Sequence, residues 1–399
     1  MGAENTLLSD DIQDFVRSDE AARMLSSGIV KSPFPDVSPS ALSVQIKGFL
    51  KSKNKLPRLS SVRGILYPKG ISMEQCSGQA ASFYKASIAP HGALGVDITG
   101  GFGVDAMALS RNFSHFRYFE TDRELAAVAA HNFAVMGLDN ITAACADGVA
   151  EVAGGTDNYD FIFADPARRD TNSSRVYRIE DCTPDIVSCS TGLLEKSPVL
   201  MVKLSPMLDI HSALASLPHT REVHTVGVRG EVRELLFVIS SGYEGPAELF
   251  SADFAYEQDE SPFVFKGVYG QKDEVFFSGY EKYVYDVSAT LRKSGLADAY
   301  AVSLGLRKLH PHTWLYTSDV LYDGFCGRVF RVEAPVGKKD LKKMLPDSRA
   351  SVISRNYPAT AESLRRSFGL KDSADMFLIA FRDINNKNIV LLSTRQKFS

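Results

Sequence analysis

Residues 96–105 read Val-Asp-Ile-Thr-Gly-Gly-Phe-Gly-Val-Asp, and this stretch decides the fold class. An apolar run leads into Asp97, a glycine turn follows at Gly100, Gly101 and Gly103, and a helix-like segment comes next. Glycine adopts positive φ and lets a ligand lie against bare backbone. The free N–H groups at the start of a helix suit a carboxylate or a phosphate. The stretch therefore predicts a strand, a turn and a helix that bind a nucleotide-like cofactor.

This glycine loop fits two kinds of cofactor. Gly101-x-Gly103-x-x-Ala106 satisfies the G-x-G-x-x-G/A fingerprint of dinucleotide sites, and Glu120 follows Gly101 by 19 residues, close to where an NAD site has its ribose-binding acid. Asp97, in contrast, stands before the glycines, where that fingerprint requires no acid. A carboxylate there can hold a loop N–H or the amino group of S-adenosylmethionine, which carries a sulfonium but no pyrophosphate. The loop alone leaves both cofactors open, and Asp97 favours S-adenosylmethionine.

Acidic residues stand at or just after the ends of four consecutive predicted strands. A single acid in such a place usually caps a turn or a helix. The carboxyl ends of parallel strands meet in one crevice, however, so four acids in succession favour a shared ligand. We expect Glu120 to accept both ribose hydroxyls and Asp147 to face the adenine amine. The four acids are Asp97, Glu120, Asp147 and Asp165.

Residues 90–240 resemble a class I S-adenosylmethionine-dependent methyltransferase. Residues 97–103 are similar to motif I of that family, with Thr99 where many members carry the first glycine, and Asp165-Pro166-Ala167-Arg168 is similar to its catalytic D-P-P-x position. The resemblance implies S-adenosylmethionine as the cofactor. It implies as cofactor-binding residues Asp97, Thr99, Gly101, Phe102, Gly103, Glu120 and Asp147, and as catalytic residues Asp165, Pro166, Ala167 and Arg168.

The Asp165-Pro166-Ala167-Arg168 stretch indicates how a methyl acceptor is activated. A nucleobase amine is a poor nucleophile because its lone pair is delocalised into the ring. A strand-end carboxylate and a proline-fixed carbonyl can accept both N–H groups and localise that lone pair. Ala167 and Arg168 depart from the second proline and the aromatic residue of the family motif. We expect Arg168 or Arg169 to hold a phosphate or to stack on the base instead.

Methylation at carbon C5 of a pyrimidine is disfavoured. That chemistry needs a cysteine nucleophile after the fifth strand. The chain has Val202-Lys203-Leu204-Ser205-Pro206 there, with no cysteine near in the sequence. Ser205 is too weak a nucleophile without a base. Lys203 or Ser205 is expected to line the pocket, or Lys203 to form a salt bridge at the strand end.

Residues 1–85 read as helical, with helices predicted over residues 10–18, 40–50 and 73–86. Ser72 can cap the third helix, with Gln75 at the capping-box position. In the family that this chain resembles, the equivalent segment leads into the cofactor pocket. We therefore expect Gln75 or Ser77 to line that pocket, with helix capping alone as the alternative.

The C-terminal part carries a second resemblance and an uneven charge. Residues 309–319, 354–358 and 371–372 resemble the THUMP-like region of a bacterial methyltransferase family. Because THUMP domains belong to RNA-modifying enzymes, the resemblance implies RNA as a partner. Residues 331–399 contain 14 Lys and Arg against 7 Asp and Glu, whereas the whole chain has a net charge of −3. Such a basic end is typical of phosphate-backbone binding, with an ordinary solvated surface as the alternative.

These patterns predict an α/β fold with four domains. Its centre is a Rossmann-like seven-stranded methyltransferase sheet, in which residues 199–204 form the fifth strand and residues 222–228 and 234–240 the terminal antiparallel pair. A helical N-terminal part precedes it, and a small α+β (ferredoxin-like/THUMP-like) C-terminal region follows. The predicted domains are 1–85 (helical), 86–243 (class I methyltransferase), 244–320 (an irregular connector and a small ferredoxin-like α+β domain) and 321–399 (THUMP-like and basic). Within the connector, alternating Phe and Val around residues 263–268 suggest a strand.

Cysteine usage and the N-terminus indicate a compartment. The five cysteines show no C-x-x-C pairing, which suggests a reducing environment. The first residues form neither a basic n-region nor an apolar h-region, and no stretch of about 18 apolar residues occurs. We expect a cytoplasmic protein without a membrane partner, and the oligomeric state stays open. No metal site is predicted, because His310 and His312 lack a third ligand nearby.

The sequence thus predicts an S-adenosylmethionine-dependent methyltransferase that acts on a base nitrogen of RNA. Two other functions stay open. One is methylation of a small molecule. The other is RNA binding by a vestigial methyltransferase fold, of which Ala167 and Arg168 would be the marks. An NAD-dependent oxidoreductase leaves Asp97 and Asp165 unexplained and lacks a proton donor beside the glycine loop.

Overall fold

A computed structural model of the 399-residue chain describes residues 6–28, 30–168 and 179–397. The chain divides into two units. The first unit consists of residues 1–229, 233–247 and 254–262. The second unit consists of residues 230–232, 248–253 and 263–399.

The first unit begins with helices, two of which start at serine caps. Ser18 Oγ accepts the N–H of Ala21 at 3.1 Å and begins the second helix. Ser38 Oγ accepts the N–H of Ala41 at 3.2 Å, and Pro39 opens the third, as is common at the first helical position. The helices are α1 (Asp10–Arg17), α2 (Asp19–Ser26), α3 (Pro39–Lys55), α4 (Pro57–Ser61), α5 (Gly70–Gln75) and α6 (Gln79–Ile88).

The single helix predicted over residues 73–86 is wrong, because the chain forms two helices there. Cys76 leaves helical geometry with ψ at 154°, and Gly78, with ψ at 166°, precedes α6. A Cβ on Gly78 would lie 2.5 Å from the Glu257 carboxylate, so the backbone approaches that side chain closely. Ser72 lies inside α5, which begins after Lys69, so the predicted cap at Ser72 is also wrong.

Strands and helices alternate through the rest of the first unit. The strands are β1 (Gly92–Asp97), β2 (Phe113–Glu120), β3 (Ile141–Cys145), β4 (Phe161–Ala164), the two-residue pair β5 (Ala167–Arg168) and β6 (Cys182–Thr183), β7 (Val199–Leu204), β8 (Thr220–Val228) and β9 (Glu231–Ser240). The helices are α7 (Val104–Leu109), α8 (Arg123–Val135), α9 (Gly148–Gly154), α10 (Ile186–Lys196) and α11 (Ile210–Ser216).

The main sheet has the order expected of a methyltransferase. Strands β7, β4, β1, β2 and β3 lie side by side and run parallel, and β9 runs antiparallel to β7 with β8 beyond it. This confirms the predicted fold class. Among the described residues, the hydrogen-bonded ladder counts nine strands rather than the predicted seven, and the two not predicted in it are β10 (Glu248–Phe254) and β11 (Phe263–Val268).

The apolar composition of the central strands explains why they form the core. All four residues of β4 are buried, as are five of the six residues of β7. Parallel strands covered on both faces are apolar throughout rather than alternating. The aromatic rings of Phe113 and Phe161 stack with centroids 5.7 Å apart between β2 and β4. The described polar side chain of β7, Lys203, accordingly lies near the end of its strand.

The second unit contains a mostly antiparallel sheet of seven strands. Its order is β13-β14-β12-β15-β18-β17-β16, with only β16 and β17 parallel among the described pairs. The strands are β12 (Tyr283–Val287), β13 (Arg307–Lys308), β14 (Leu315–Ser318), β15 (Gly327–Pro335), β16 (Ser351–Arg355), β17 (Met376–Arg382) and β18 (Asn388–Gln396). The helices are α12 (Ala289–Lys293), α13 (Ala297–Ser303), α14 (Lys338–Met344) and α15 (Ala361–Phe368).

The segment predicted as an irregular connector holds regular structure. Residues 248–254 form β10, which pairs antiparallel with β11. Its buried and exposed residues alternate in part, a pattern that the neighbouring Gly245 and Pro246 obscured in the sequence. In the described part of the chain, no helix combines the length and apolar character needed to cross a bilayer.

Candidate functional site

A cavity of about 510 Å³ lies at the carboxyl ends of the parallel strands in the first unit. Such a crevice is where open α/β sheets bind ligands. Lys203 and Ser205, of which the sequence predicted one or the other in the lining, both line it. So do ten residues that the sequence assigned to cofactor binding or catalysis: Gln75, Asp97, Thr99, Gly101, Phe102, Gly103, Glu120, Asp165, Pro166 and Ala167. Asp147 is not among the described lining residues, and the side chain of Arg168, like all of Arg169, lies outside the described part of the chain.

The glycine loop turns tightly between β1 and α7. The N–H of Gly103 donates to the carbonyl of Gly100 at 3.1 Å, and Gly103 has a φ of 84°, which favours glycine. A Cβ on Gly100 would lie 2.5 Å from the Tyr118 ring and 2.6 Å from the carbonyl oxygen of Phe119. The loop backbone is therefore packed against β2 on one side and faces the cavity on the other.

Glu120 ties the end of β2 to this loop. Its Oε2 accepts the N–H of Gly101 at 2.8 Å, and its Oε1 accepts the N–H of Asp122 at 2.8 Å. The Thr121 hydroxyl also donates to Oε1 at 3.2 Å. A carboxylate has about four acceptor positions, so these bonds leave room for a further donor from a ligand. Glu120 thus stands where the sequence predicted it, at the strand end beside the loop.

Asp97 and Thr99 connect the ends of β1 and β4. Asp97, which is 1% exposed, accepts the N–H of Thr99 at 3.0 Å and its hydroxyl at 3.2 Å. The Thr99 hydroxyl in turn accepts the N–H of Asp165 at 2.7 Å. Burial raises the pKa of Asp97 to about 8. The hydrogen bonds from Thr99 act to lower this pKa, whereas the nearby Asp105 and Asp165 raise it further. The Asp97 carboxyl is thus poised to ionise when a cation binds.

Lys203 at the end of β7 forms an ion pair with the Oδ2 atom of Asp165. Burial by itself would lower the pKa of Lys203, but Asp165, Asp105 and Glu234 outweigh burial and hold that pKa above its usual value. The lysine therefore stays charged. This contact matches the salt bridge at the strand end that the sequence left as one of two possibilities for Lys203, and Lys203 also lines the cavity.

Asp147 has a structural task in this molecule. It precedes α9, and its Oδ1 accepts the N–H groups of Val149 at 3.0 Å and Ala150 at 3.2 Å. These bonds satisfy two donors of the first helical turn. Only Oδ2 of Asp147 would then be available to accept a hydrogen bond from the adenine amine.

Comparison with known proteins decides the family. Residues 283–325 match a ferredoxin-like domain family and residues 327–395 a THUMP domain-like family. The whole chain is similar to a provisionally assigned methyltransferase from Porphyromonas gingivalis W83, known from a crystal structure. The two are 30% identical over 98% of this chain and 99% of the other, with a TM-score of 0.81. The chain belongs to this class I methyltransferase family with a THUMP-like domain.

Two further solved structures that match this chain are less similar to it. None of the curated proteins matches it. A provisionally assigned methyltransferase from Streptococcus mutans, in complex with SAH, is 10% identical and covers 40% of this chain and 94% of its own, with a TM-score of 0.31. An rRNA methylase from Streptococcus thermophilus has the same identity and coverage and a TM-score of 0.30. At such low scores they add nothing to the assignment.

The methyltransferase contains a buried ionic cluster that the sequence did not reveal. The fully buried Lys85 of α6 pairs with Glu234 of β9 and with Asp105 of α7, the latter at 3.2 Å. Ser77 Oγ donates to Asp105 Oδ2 at 2.8 Å, and Lys203 Nζ donates to Ser77 Oγ at 3.3 Å. Asp105 belongs to the glycine-loop stretch of residues 96–105, but its partners are distant in sequence. A lysine among apolar helix residues was the one available signal.

The expectation that no cysteine is near the reactive strand end is wrong, because Cys76 lies near it in space. The break between α5 and α6 brings Cys76 into the cavity lining together with Lys203. Burial raises the pKa of its thiol, although Lys55 and Lys203 act in the opposite direction. A thiol with a raised pKa is a poor nucleophile at neutral pH. The structure therefore does not favour covalent C5 chemistry at this cysteine.

In the second unit, the His310 and His312 pair forms hydrogen bonds within the protein. The buried His310 ring lies 3.0 Å from the Asn356 amide nitrogen and 3.2 Å from the Asn386 amide oxygen. The N–H of His312 also donates to His310 Nδ1 at 3.0 Å. These contacts occupy both ring nitrogens of His310. Across the described ranges, no three His, Cys, Asp or Glu side chains are grouped to hold a metal ion.

Proposed function

We propose that this protein transfers a methyl group from S-adenosylmethionine to a base nitrogen of RNA. The observation that carries the proposal is the meeting of Asp97, Glu120 and Asp165 around one cavity beside a bare glycine loop. The family membership supports a methyltransferase reaction. The proposal also includes the cofactor, the RNA acceptor and the roles of the site residues. It further includes the four domain boundaries and the cytoplasmic location.

The charge of the cavity supports S-adenosylmethionine over NAD. Four carboxyl groups line it, those of Asp97, Asp105, Glu120 and Asp165, against the cations of Lys203 and Arg233. An excess of negative charge attracts a sulfonium and an ammonium and repels a pyrophosphate. We assign the ammonium to Asp97, the ribose hydroxyls to Glu120, the adenine side to Asp147 and the loop contacts to Thr99, Gly101, Phe102 and Gly103, with Gln75 at the rim.

The chemistry of the acceptor falls to Asp165 and Pro166. S-adenosylmethionine supplies a methyl group whose bond to sulfur breaks as a bond to the acceptor nitrogen forms. Because Lys203 holds Oδ2 of Asp165, we assign Oδ1 and the Pro166 carbonyl to the two N–H groups of the base amine. Burial raises the pKa of Asp165, although the Lys203 ammonium opposes this, and a raised pKa suits a carboxylate that takes up the proton lost by the amine.

Arginine side chains in the second unit support RNA as the substrate. A cavity of about 590 Å³ there is lined by Arg328, Arg355 and Arg382. The buried Asp286 pairs with Arg328 and Arg355, and also with Arg292, so one carboxylate faces three guanidinium groups and positive charge remains. Guanidinium groups bind phosphates in a bidentate manner. We assign this cavity to the RNA backbone.

Two experiments test the proposal. Calorimetry with S-adenosylmethionine and with NAD is expected to show binding of the former alone. Binding of NAD alone would contradict the cofactor assignment. Incubation of the purified protein with labelled S-adenosylmethionine and total RNA from a deletion strain is expected to label RNA, and nucleoside mass spectrometry then identifies the base. RNA binding without label would instead favour a vestigial enzyme, and label only in small molecules would favour a small-molecule acceptor.

A further inference from the structure

A second cavity, of about 480 Å³, adjoins the candidate cofactor cavity in the first unit. The two cavities have four lining residues in common. These shared residues are Gln75, Cys76, Lys203 and Arg233. Since the same side chains face both spaces, a ligand in the second cavity would lie next to a ligand in the first. Its volume falls within the range typical of sites for small ligands, about 300–1,000 Å³.

The two cavities carry opposite charge. Carboxyl groups outnumber cations in the lining of the first, as described above. In the second, five cations outnumber three carboxylates. The cations are Lys51, Lys55, Lys203, Arg229 and Arg233, and the carboxylates are Glu74, Glu234 and Glu257. The first cavity therefore suits a cationic ligand and the second an anionic one.

The cations found only in the second cavity are placed to meet an anion. Lys55 Nζ lies at the wall of this cavity, where it donates to the backbone carbonyls of Met73 at 3.1 Å and Glu74 at 2.8 Å. Lys51 pairs with the Glu74 carboxylate at 3.1 Å, and both side chains are at least 40% exposed. A pair so exposed contributes little to stability, so a phosphate can compete for the lysine.

Arg229 adds a surface for a base at the rim of this cavity. It lies at the turn between β8 and β9, and its guanidinium is 5.6 Å from the centre of the Tyr256 ring. Tyr256 is 51% exposed, although its ring is large and mainly apolar. An exposed aromatic ring beside an arginine is the arrangement on which unpaired bases stack.

We infer that the second cavity is the methyl-acceptor site and takes an unpaired RNA nucleotide, whose phosphate binds Lys51 and Arg229. The base of this nucleotide passes the shared residue Lys203 to reach Asp165, and a neighbouring base stacks on Tyr256. This inference rests on the proposed function, because it presumes an RNA acceptor. It adds the place where that acceptor enters, which the helical N-terminal part and the turn between β8 and β9 form together.

Charge reversal at the two exposed cations tests the inference in the full-length protein. The probe is a fluorescein-labelled single-stranded RNA of 12 nucleotides with random sequence, measured by fluorescence anisotropy over a series of salt concentrations. Lys51→Glu and Arg229→Glu are each expected to weaken RNA binding about tenfold and to reduce the slope of log affinity against log salt by about 1. Lys53→Glu is the matched control, because Lys53 lies on α3 but lines neither cavity.

A second measurement locates the RNA. The same pool with 4-thiouridine is crosslinked to the wild-type protein, and the peptides are mapped. We expect a crosslinked peptide that contains Tyr256, and a loss of that crosslink in Arg229→Glu. Calorimetry with SAH is expected to give the wild-type affinity for all three variants, which also shows that they are folded.

The outcomes separate the inference from the proposed function. Unchanged RNA affinity and salt slope in both variants, or crosslinks confined to residues 327–395, would overturn the inference while SAH binding leaves the cofactor assignment intact. Absence of SAH binding with weakened RNA binding in the variants would overturn the cofactor assignment and support the RNA site. If the wild-type protein binds SAH but no RNA, both the inference and the proposal of an RNA acceptor are wrong. Methyl transfer to a smaller acceptor is then the remaining function.

Discussion

At the scale of single residues, Thr99 shows how a departure from a family motif can be structural. Its hydroxyl donates to Asp97 and accepts the N–H of Asp165, so one side chain joins two strand ends. A glycine at this position would lack both bonds. Thr99 therefore holds the candidate cofactor-binding acid and the candidate catalytic acid at a fixed separation.

The Asp97→Asn variant tests the titration of this acid. The folded-state pKa of about 8 lies above the usual carboxyl pKa of 3.8, so the folded protein holds this proton more tightly than the unfolded chain. The free energy of unfolding should therefore fall as pH rises from about 4 to 8, and Asp97→Asn should flatten this decline in thermal melts. Affinity for the cationic cofactor should rise about tenfold per pH unit below pH 8 in the wild type and not in the variant.

Asp209→Asn is the control for this pH dependence. Asp209 is an exposed acid that caps α11, and asparagine caps a helix equally well. It should retain the wild-type profiles of melting temperature and cofactor affinity. A wild-type affinity that does not change between pH 6 and 9 in calorimetry would contradict the ionisation of Asp97 on cofactor binding.

The Lys203→Met variant tests the ion pair with Asp165. Removing the ammonium leaves the Asp165 carboxylate, whose side chain is 35% exposed, without its partner, which should lower the free energy of unfolding by about 1–2 kcal/mol in urea titrations. The double variant Asp165→Asn/Lys203→Met removes both charges and should regain most of this stability. Methyl transfer should be lost in both variants. Activity of the double variant near that of the wild type would show that Asp165 does not act in catalysis.

Among the residues, strand-end acids could be found from the sequence and the buried cluster could not. Asp97, Glu120 and Asp165 each follow an apolar run, and the parallel sheet brings such ends together. Lys85, Asp105 and Glu234 meet because α6, α7 and β9 pack together, and no local pattern encodes that meeting. Cys76 was missed for the same reason.

At the scale of elements, the glycine loop depends on two close approaches to β2. Gly100→Ala places a methyl group 2.6 Å from the backbone carbonyl of Phe119, which cannot move without disturbing β2. We expect a loss of about 1–3 kcal/mol in unfolding free energy and a strong loss of cofactor affinity. Gly192→Ala is the matched control. This residue lies in α10 with nothing within 4 Å of the added methyl group, so the variant should gain about 0.5–1 kcal/mol. Equal melting temperatures for the two variants would contradict this account.

Elements with a continuous apolar run were predicted well, and those shaped by distant contacts were not. Residues 199–204 form a strand with the predicted bounds. The helix predicted over residues 73–86 failed because the backbone at Gly78 meets Glu257, which lies far along the chain. A helical spacing of apolar residues spans the break without showing it.

At the scale of the whole molecule, β12 supports both matched domains of the second unit. It pairs with β14 within the ferredoxin-like match and with β15 within the THUMP domain-like match. All five residues of β12 are buried. A chain that ends at residue 326 would leave one edge of β12 unpaired and apolar, and such edges aggregate.

This truncation is expected to yield insoluble or aggregated protein, measured by the soluble fraction and by size-exclusion chromatography. A chain that ends at Gln396 retains β18 and should elute as the full-length protein does. A soluble and well-folded chain ending at residue 326 would show that the two matched domains fold independently.

The shared strand also bears on how such a gene can change over evolutionary time. Recombination that moved the ferredoxin-like or the THUMP-like part alone into another gene would separate β12 from β15 and break the sheet. Selection should therefore preserve the two as one heritable block, and shuffling should occur at its outer boundaries rather than at the junction near residue 326.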